Sequence, residues 1–327
     1  MRVYEIDSLE ANQRLDKYLN KLLKTAGNGF IHKMLRKKTI VLNGKKAEGN
    51  VILKEGDQVK IYMLDETIDN FIGTTPEIQD FRKAYHELKA LIKIVYEDEN
   101  VLILNKPVGV LSQKAEKNDK SCNEWLIGYM LATEQITVTK LHTFKPSICN
   151  RLDRNTSGLL ICGKTLLGTQ TMNRLIKERE IKKFYRTFVK GEFKQRIHID
   201  GYLQKDYSTN KSAILREAIY GGDKIETIFT PLEYTAELSY LEVELITGKP
   251  HQIRAHAASI GHPVLGDYKY GDRIFNETLH LKYQMLHAYR LEFPKLEGEF
   301  SALSEKKFVA TEPEKYKRIR NYMRTIK

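Results

Sequence analysis

The amino-acid sequence predicts an α+β fold: a mixed, mostly antiparallel sheet with helices at irregular intervals, preceded by a small α+β unit. Two observations carry this prediction. Apolar runs of strand length outnumber segments of helical periodicity, and they do not follow the regular βαβ alternation of a parallel sheet. The N-terminal fifth has its own pair of amphipathic helices and a hairpin signal, and 327 residues suffice for about two domains.

The composition is that of a globular protein in a reducing compartment. Hydrophobic residues make up 41% of the chain, no apolar run approaches the ~20 residues that span a bilayer, and the first residues lack the apolar core of a signal peptide. The cysteines, Cys122, Cys149 and Cys162, show no Cys-x-x-Cys spacing, so neither a disulfide framework nor a zinc site is indicated. We therefore expect a cytoplasmic protein.

The chain carries a formal net charge of +12. Such an excess points to a polyanionic partner, most often nucleic acid. Residues 1–62 contain 13 Lys and Arg against 7 Asp and Glu, an excess of +6, so half of the net charge lies in the first fifth of the chain.

The N-terminal unit begins with an amphipathic helix over 14–24, where leucines recur at helical spacing and lysines occupy the other face. A second short helix is expected over 29–37 and a strand over 39–42. The Asn-Gly pair at 43–44 is the strongest short signal for a tight hairpin. Residues 58–62 are expected to form a further strand.

This order of elements resembles the alpha-L module, an RNA-binding domain first seen in a small-subunit ribosomal protein. Basic residues cluster on its helices and around its turn, and the resemblance makes them candidate phosphate contacts. They are Arg14, Lys33, Arg36, Lys37, Lys38 and Lys45. The alternative for this unit is a solvated basic helix pair without a ligand.

Residues 64–91 differ in character from the unit before them. The segment is locally acidic, and Gly-Thr-Thr-Pro at 73–76 interrupts it. Pro76 could open a helix that runs to about Ile92. We expect this segment to link two domains.

The remaining elements are predicted from apolar runs and helical stripes. The expected strands are 92–96, 101–105, 159–162, 184–189, 240–246 and a last strand that ends at 293–294. The expected helices are 122–135, 171–182, 251–258 and a basic one over 314–327. The stripe of Trp125, Leu126, Tyr129 and Met130 on the first of these helices is expected to lie in the core rather than to stack on bases.

Residues 150–158, Asn-Arg-Leu-Asp-Arg-Asn-Thr-Ser-Gly, place a carboxylate between two arginines. The last four have turn chemistry, and the apolar run 159–162 reads as a buried strand. We expect a charged loop against the end of a strand, with Asp153 at its tip. Taken alone, such a motif is more often a surface turn with a local ion pair.

Three other chemistries are disfavoured. Residues 158–165 fit the P-loop spelling, but the residues between its glycines form the strand itself, where a P-loop needs a flexible turn. A P-loop ATPase is therefore only a third hypothesis. A metal site is disfavoured because His251 and His256 are five apart and point to different sides of a helix. Ser157 lacks the Gly-x-Ser-x-Gly elbow of a nucleophilic serine.

Four segments, in the right order between about 92 and 294, resemble the RluA-type pseudouridine synthases. The loop 150–158 is similar to their catalytic loop. Residues 182–191, Lys-Lys-Phe-Tyr-Arg-Thr-Phe-Val-Lys-Gly, are similar to the segment with the active-site tyrosine. Within 247–267, Thr-Gly-Lys-Pro-His-Gln-Ile-Arg-Ala-His followed by Gly-His-Pro-Val-Leu-Gly-Asp resembles their most characteristic motif. Residues 96–109 match their entry strands.

The resemblance implies an enzyme that isomerises uridine to pseudouridine, a redox-neutral reaction that needs no cofactor and no metal. By the family pattern Asp153 is the catalytic carboxylate. It can attack C1′ or C6, or abstract the 2′ hydrogen, and the sequence leaves these paths open. Arg254 would keep that carboxylate ionised in a closed pocket. Tyr185 would lie against the flipped uracil and assist proton removal from C5.

The same resemblance implies further substrate contacts. Arg151 matches a position that can move into the space left by the base, and Leu265 matches an apolar residue on the pocket wall. Asn150, His251 and Gln252 are also candidate contacts. Asn150 is a departure, since the family usually has His there. An asparagine can still donate to a backbone or phosphate, so the departure bears on the local RNA contact more than on the chemistry.

We therefore expect an RNA-binding unit over 1–63, a linker over 64–91, a catalytic domain over 92–300 and a basic extension over 301–327. The expected partner is RNA of the large ribosomal subunit, with transfer RNA as the alternative that the sequence leaves open, and with no membrane and no nucleotide cofactor. The expected state is a monomer. The alternative function is a non-catalytic RNA-binding or ribosome-assembly factor on the same fold, which would bind RNA with the same salt sensitivity.

Overall fold

A computed structural model describes residues 1–73, 78–116, 119–206, 211–215 and 223–326 of the chain. Within these ranges the strands form a three-stranded N-terminal sheet and an eleven-stranded sheet in the rest of the chain. Strand pairing is antiparallel except between two strands of the larger sheet. The predicted α+β class with a mixed, mostly antiparallel sheet is thereby confirmed. No helix in the described ranges is long and apolar enough to cross a membrane.

The N-terminal unit has its strands in the order β1-β3-β2, with helices packed on one core. Its elements are β1 (Arg2–Glu5), α1 (Leu15–Leu22), α2 (Asn28–Arg36), β2 (Ile40–Leu42), β3 (Gln58–Ile61) and α3 (Asp65–Ile72). The two predicted helices and both predicted strands are present. β1 was not predicted, because its four residues alternate between half-buried and exposed and contain no apolar run.

The hairpin signal at Asn43-Gly44 forms the turn it predicts. Both residues have positive φ, 50° and 73°, as a tight two-residue turn requires. The backbone N–H of Lys45 donates to the carbonyl of Leu42 at 2.9 Å, and Leu42 donates back at 3.0 Å. The Asn43 side chain accepts from the backbone N–H of Gln58 at 2.8 Å, which ties the turn to β3.

The expected linker 64–91 contains two helices, each packed on the core next to it. Ile68 of α3 is fully buried in the N-terminal core. The second helix, α4 (Ile78–Leu88), buries Phe81 and Leu88 in the main core of the larger region. Acidic residues in the first turn of α3 favour its helical state. Pro76, expected to open the second helix, lies outside the described residues.

The larger region follows with mixed strands and helices. Its elements are β4 (Lys93–Glu97), β5 (Val101–Lys106), α5 (Cys122–Ala132), β6 (Ser147–Ile148), β7 (Ser157–Gly163), α6 (Leu166–Lys177), β8 (Lys182–Lys190), β9 (Ile197–Asp206), β10 (Lys211–Leu215), β11 (Asp223–Tyr234), β12 (Leu238–Leu245), α7 (Gln252–Ser259), α8 (Arg273–Thr278), β13 (Leu286–Glu292), β14 (Lys307–Val309) and α9 (Glu314–Thr325). Two short 3₁₀ helices lie at Thr139–His142 and Gly298–Leu303.

The order of the large sheet is β10-β9-β11-β12-β8-β13-β7-β5-β4, with β6 paired to β7 and β14 paired to β13. β7 and β13 form the one parallel pair recorded among the described strands. They bring the chain around residue 157 next to the chain around residue 287. β8 lies on the other side of β13. The middle of the sheet therefore gathers strands that are far apart in sequence.

Two predicted features of this region are confirmed and one is shifted. Trp125, Leu126 and Met130 are buried in the main core, as expected of a core stripe. The apolar run that follows the charged loop is the fully buried strand β7. α6, however, begins at Leu166 rather than at 171. Its start is set by Thr165, whose side chain accepts from the backbone N–H of Gly168 at 2.9 Å as an N-cap.

The P-loop spelling at 158–165 has no P-loop geometry. Gly158 and Gly163 lie at two positions of β7 rather than in a turn. Lys164 forms an ion pair with Glu97 at 2.6 Å and donates to the carbonyl of Asp98 at 2.6 Å. Its ammonium is therefore committed to the end of β4, which argues against the ATPase hypothesis.

The N-terminal unit contacts the larger region through the segment before α1. Glu10 is fully buried and accepts hydrogen bonds from Lys140, at 2.7 Å, and from the hydroxyl of Thr143. The backbone N–H of Leu166 donates to the carbonyl of Leu9 at 2.9 Å. These contacts hold the basic N-terminal unit against the start of α6.

Candidate active site

Asp153 lies in the loop between β6 and β7, in a turn closed by its own backbone. The carbonyl of Asp153 accepts from the backbone N–H of Thr156 at 3.0 Å. The side chain is 29% exposed. It lines a cleft of about 820 Å³, the size of a ligand site. The loop thus presents the carboxylate to the cleft, as the turn chemistry predicted.

Lys106, at the end of β5, holds the backbone of Arg154, the residue after Asp153. The side chain is fully buried, and Nζ donates to the carbonyls of Val110 at 2.7 Å, Pro107 at 3.0 Å and Arg154 at 3.0 Å. These three acceptors match the three N–H groups of an ammonium. Burial lowers the pKa of Lys106 to about 8, although the negative charge of Asp153 raises this pKa. The ammonium form still prevails at neutral pH.

Two further side chains fix the start of the loop. The backbone N–H of Leu152 donates to the hydroxyl of Ser112 at 2.9 Å, and that hydroxyl donates to the carbonyl of Leu152 at 2.9 Å. The Asn150 side chain accepts from the backbone N–H of Ile161 in β7 at 2.8 Å. Its Nδ2 donates to the carbonyl of Leu159 at 3.5 Å, which is the expected donation to a backbone. Its contact with RNA stays a prediction.

Arg254, on α7, joins two carboxylates. Its Nε and Nη2 donate to both oxygens of Asp267, at 2.6 and 2.9 Å, and its Nη1 donates to Oδ2 of Asp153 at 2.8 Å. The planar guanidinium suits this bidentate pairing, which an ammonium cannot reproduce. The predicted neighbourhood of Arg254 and Asp153, 101 residues apart in sequence, is present in the structure.

Asp267 is a fully buried anion that holds the arginine in place. Burial alone would raise the pKa of Asp267, but the hydrogen bonds and charge of Arg254 bring this pKa below its ordinary value. The backbone N–H groups of Lys269, at 2.8 Å, and Tyr270, at 3.2 Å, donate to the same carboxylate. Arg254 thus approaches Asp153 with its orientation already fixed.

Tyr185 lies on β8 and lines the same cleft as Asp153. Its side chain is 7% exposed. Burial raises the pKa of Tyr185, and the charge of Asp153 raises it further. The phenol is therefore neutral at physiological pH, and the structure brings it into the cleft with Asp153 and Arg254, the trio that the sequence predicted.

His251 precedes α7 in a left-handed backbone conformation, with φ of 59°. Its Nε2 lies 3.8 Å from Oδ2 of Asp153, and its Nδ1 lies 3.1 Å from the hydroxyl of Tyr270. Burial lowers the pKa of His251, and the charge of Asp153 opposes this change. An unusual φ held beside a carboxylate is typical of functional sites. His251 is thus placed where the prediction needs it.

Gln252 lines the cleft, but its amide is committed to partners within the protein, so its role as a substrate contact stays a prediction. Its oxygen accepts from the hydroxyl of Thr247 at 2.8 Å and from the backbone N–H of Lys249 at 3.1 Å. Its nitrogen donates to the carbonyl of Glu226 at 3.0 Å and to the hydroxyl of Thr227 at 2.9 Å. All four hydrogen-bonding positions of the amide are occupied. Gln252 therefore pins the start of α7 to β11.

The expected position of Leu265 on the pocket wall is wrong, because Leu265 does not line the cleft. It is buried in a separate core with Phe188, behind the sheet from α7. Its backbone N–H donates to the carbonyl of Phe188 at 2.8 Å, and its carbonyl accepts from Met285 at 2.7 Å. The apolar cleft wall instead includes Leu245 and Leu286. The motif had placed Leu265 near the site, and the strand-like pairing turns its side chain away.

Cationic side chains dominate the cleft around Asp153, which is the one acidic residue in its described lining. The cations are Lys114, Arg151, Arg154, Lys177, Arg179, Lys183, Lys249 and Arg254. Arg151 is exposed, as a residue that moves toward the base would have to be. Such a potential attracts a polyanion.

The predicted RNA-binding residues of the N-terminal unit are all on its surface. Arg14, Lys33, Arg36, Lys37, Lys38 and Lys45 are exposed. Arg14 pairs with Asp16. The other five have no ion-pair partner within the described part of the chain. They remain candidate phosphate contacts.

Sequence reasoning missed three residues of the site. Lys106 was seen only as part of a strand end, although Lys-Pro followed by a glycine turn marks a place where a lysine can reach back to loop carbonyls. Asp267 was seen as the last residue of the characteristic motif, without a role of its own. Gln284 donates to the hydroxyl of Thr156 at 2.9 Å and lies 3.5 Å from Oδ2 of Asp153. No local pattern signals Gln284, since it reaches the loop from the far end of the chain.

The site assembles an oriented carboxylate that can act as a nucleophile or base. The recorded partners of Asp153 converge on Oδ2: Arg254 at 2.8 Å, with Gln284 and His251 farther away. Within the described residues Oδ1 has no hydrogen bond, so it is available to a substrate. A mixed sheet with such a carboxylate in a cationic cleft is typical of an enzyme that acts on a polyanion, and Asp153 is the candidate for its catalytic group.

Comparison with known proteins identifies the family within this class. The family model described as RNA pseudouridylate synthase matches residues 100–259. An RNA pseudouridine synthase of Mycoplasma genitalium is 31% identical over 88% of this chain and 87% of its own length. The ribosomal large subunit pseudouridine synthase C of Escherichia coli K12 is 28% identical over 90% of this chain and 88% of its own.

Solved structures agree on the fold. The human RNA pseudouridylate synthase domain containing 4 superposes with a TM-score of 0.58 at 19% identity, over 75% of this chain and 97% of that one. The chain belongs to the RNA pseudouridine synthase family. It is an isomerase that converts uridine in RNA to pseudouridine, as its sequence motifs predicted.

Proposed function

We propose that this protein isomerises uridine in large-subunit ribosomal RNA, with Asp153 as the catalytic carboxylate. The target is supported by relatives named ribosomal large subunit pseudouridine synthase C, which match the chain over most of their length. The catalytic assignment rests on one observation. Arg254, held by the buried Asp267, fixes one oxygen of Asp153 and leaves the other free in a cationic cleft.

The reaction breaks the bond between N1 and C1′, turns the base and joins C5 to C1′. The hydrogen on C5 leaves to solvent, and N1 gains one, so the change is an isomerisation. Oδ1 of Asp153 is the free oxygen that reaches the sugar or the base. Arg254 stabilises the carboxylate before and after this step, from within a site that excludes most water.

Tyr185 supports the base once it has left the RNA helix. Flipping a base costs a few kcal/mol, and stacking on an aromatic ring offsets part of that cost. The raised pKa keeps Tyr185 as a neutral phenol. Its oxygen can therefore take the C5 proton only by passing its own proton on. Arg151, exposed at the edge of the cleft, is suited to fill the space in the RNA that the base vacates.

The N-terminal unit supplies a second RNA-binding surface. We assign residues 1–63 to RNA binding, 64–91 to the connection, 92–300 to catalysis and 301–327 to a basic extension. Support comes from the separate N-terminal core and from the exposed lysines and arginines of this unit. A single chain contains every element of the proposed site, which is consistent with a monomer. Affinity should come mainly from phosphate contacts and fall steeply with salt.

The target is tested with RNA labelled with tritium at C5 of uridine. Purified protein is incubated separately with large-subunit ribosomal, small-subunit ribosomal and transfer RNA, and tritium release is measured. Release from large-subunit RNA alone supports the proposal. Release confined to transfer RNA would keep the enzyme and reject the target. No release from any of the three, with salt-sensitive RNA binding retained, would favour the assembly-factor alternative.

A further inference from the structure

Lys183 is a buried cation of the cleft that the proposed chemistry does not use. It lies on β8 two residues before Tyr185, so the two side chains project from the same face of the strand, about 7 Å apart along it. Lys183 is 9% exposed and lines the cleft. Among the described residues its ammonium has neither a hydrogen-bond nor an ion-pair partner.

An ammonium without a protein partner on a mostly buried side chain is costly, because burial removes part of its hydration. Burial lowers the pKa of Lys183, and the nearby charge of Arg179 lowers it further. Arg179, exposed at the rim, also has no ion-pair partner within the described ranges. Both cations line the cleft, and within the described residues neither has a counter-charge.

The ammonium of Lys183 lies beside Gly248. A Cβ built on Gly248 would be 3.5 Å from Nζ, an ordinary van der Waals distance, so glycine lets this backbone come close to the ammonium. A ligand can approach Nζ from the cleft that Lys183 lines. The neighbouring Lys249 is paired with Asp223 at 2.6 Å and is directed away from this point.

We propose that Lys183, with Arg179 at the rim, forms a subsite for one backbone phosphate of the RNA next to the uridine held at Asp153. The inference rests on the proposed function, because Asp153 and Tyr185 place the base. A phosphate supplies the negative charge that two unpaired cations lack, whereas a base carbonyl does not. The distance between Lys183 and Tyr185, two positions along one face of β8, is of the order of the length of one nucleotide.

The test compares Lys183→Met with Lys182→Met. Lys182 is the exposed neighbour on the other face of β8, so its variant removes the same charge outside the cleft. We expect Lys183→Met to raise KM and the Kd for RNA about tenfold, the equivalent of one charge-assisted hydrogen bond. Its kcat should stay within about twofold, and the slope of log Kd against log salt should fall by about 0.7.

The remaining variants complete the expected pattern. Lys183→Arg should restore most of the affinity, and Lys182→Met should leave KM, Kd and the slope unchanged. Arg179→Gln, which alters only an exposed side chain, should reduce the slope as Lys183→Met does. It carries the test if thermal melting shows that Lys183→Met does not fold.

Two results would overturn the subsite. One is a loss in kcat for Lys183→Met with an unchanged Kd and salt slope, which would place Lys183 at the reacting base. The other is an equal effect of Lys182→Met. Absence of tritium release from the wild type would reject the proposed function instead, because Kd and its salt slope are measured by binding alone.

Discussion

At the scale of single residues, the site depends on how Arg254 distributes its N–H donors between two carboxylates. Arg254 commits two N–H groups to Asp267 and one to Asp153. Asp267, the buried partner, fixes the plane of the guanidinium, and Asp153, the partner in the cleft, takes its orientation from that plane. The Asp153 carboxylate is therefore positioned by Asp267, although these two carboxylates do not touch.

Replacing Arg254 by lysine should separate charge from geometry. Lys keeps the positive charge but has no planar fork, so it cannot serve both carboxylates. We expect kcat to fall roughly a hundredfold, as for the loss of one preorganised donor, while KM changes little. Tritium release under saturating RNA measures this. Arg290→Lys is the control, since Arg290 pairs with Glu242 outside the cleft, and it should keep kcat within about twofold. An unchanged kcat in Arg254→Lys would show that the planar guanidinium of Arg254 is not needed to position Asp153.

Asn150 should prove to be a structural residue first. Asn150→Ala leaves the backbone N–H of Ile161 without its acceptor, and we expect the free energy of unfolding to fall by about 1–3 kcal/mol. The Kd for RNA should change less than about twofold. Urea unfolding and RNA binding decide this together. Arg151→Ala should show the opposite pattern. Weaker RNA binding by Asn150→Ala at full stability would instead make Asn150 an RNA contact.

Sequence motifs located the residues that meet in the cleft better than those that support them. Asp153, Tyr185, Arg254 and His251 come together as expected. Gln252 belongs to the same motif as Arg254, but sequence proximity on a helix does not tell which side chain bonds to the sheet and which bonds to a carboxylate in the cleft. The role of Lys106 depends on loop carbonyls up to 48 residues away, which no local pattern encodes.

At the scale of elements, the pairing of β7 with β13 fixes the catalytic loop. Gly158 has φ of 113°, and an added Cβ would lie 2.2 Å from the carbonyl oxygen of Ala288. Only glycine allows the two strands to approach this closely. The loop of Asp153 ends at this pair of strands, so their spacing also sets the position of the carboxylate.

Gly158→Ala should therefore destabilise the protein by more than its backbone angle alone would explain. We expect a loss of about 3 kcal/mol or more in the free energy of unfolding, since overpacking adds to the strain of a positive φ. Gly261→Ala is the matched control, with φ of 81° and nothing within 4 Å of an added Cβ, and it should lose about 1–2 kcal/mol. Urea unfolding measures both. Equal losses of unfolding free energy in the two variants would show that the close spacing of β7 and β13 does not cause the destabilisation of Gly158→Ala.

Elements with clear signals were predictable, and those defined by tertiary pairing were not. β5 and β7 are apolar runs, buried along nearly all or all of their length, and α1 has a regular leucine stripe. β9 and β11 lack such runs, and buried and partly exposed residues alternate along the middle of β11. β14 is three residues long and is recognisable only by its pairing with β13.

At the scale of the whole molecule, two buried histidines should make stability depend on pH. His256 and His287 are fully buried, and each Nδ1 pairs with a hydroxyl at 2.8 Å. Burial lowers the pKa of each to about 4, against an ordinary value of 6.5. Between these values the unfolded chain binds more protons, so stability falls as the pH falls from 6.5 to 4.

The expected loss is about 3 kcal/mol per histidine across this range. His256→Asn keeps a hydrogen-bonding group near the hydroxyl of Thr227 and removes the titration. Urea unfolding of the wild type and the variant at several pH values should show a shallower pH dependence for His256→Asn. Identical profiles would mean that His256 does not titrate as its burial indicates.

The distribution of charge gives the molecule two cationic surfaces joined through Glu10 and Lys140. One lies on the N-terminal helices, and the other lines the cleft. We expect a long RNA to contact both surfaces at once, so that the second contact gains from the first. Target selection would then depend on more than the base held at Asp153.

The proposed role of Asp153 in the isomerisation can be measured in Asp153→Asn. The amide keeps the shape of the side chain and removes the negative charge. Single-turnover tritium release is measured from large-subunit RNA labelled at C5 of uridine, with the Kd for the same RNA measured in parallel. We expect release to be lost while Kd stays within about threefold of the wild type. Release at the wild-type rate by Asp153→Asn would rule out Asp153 as the catalytic carboxylate.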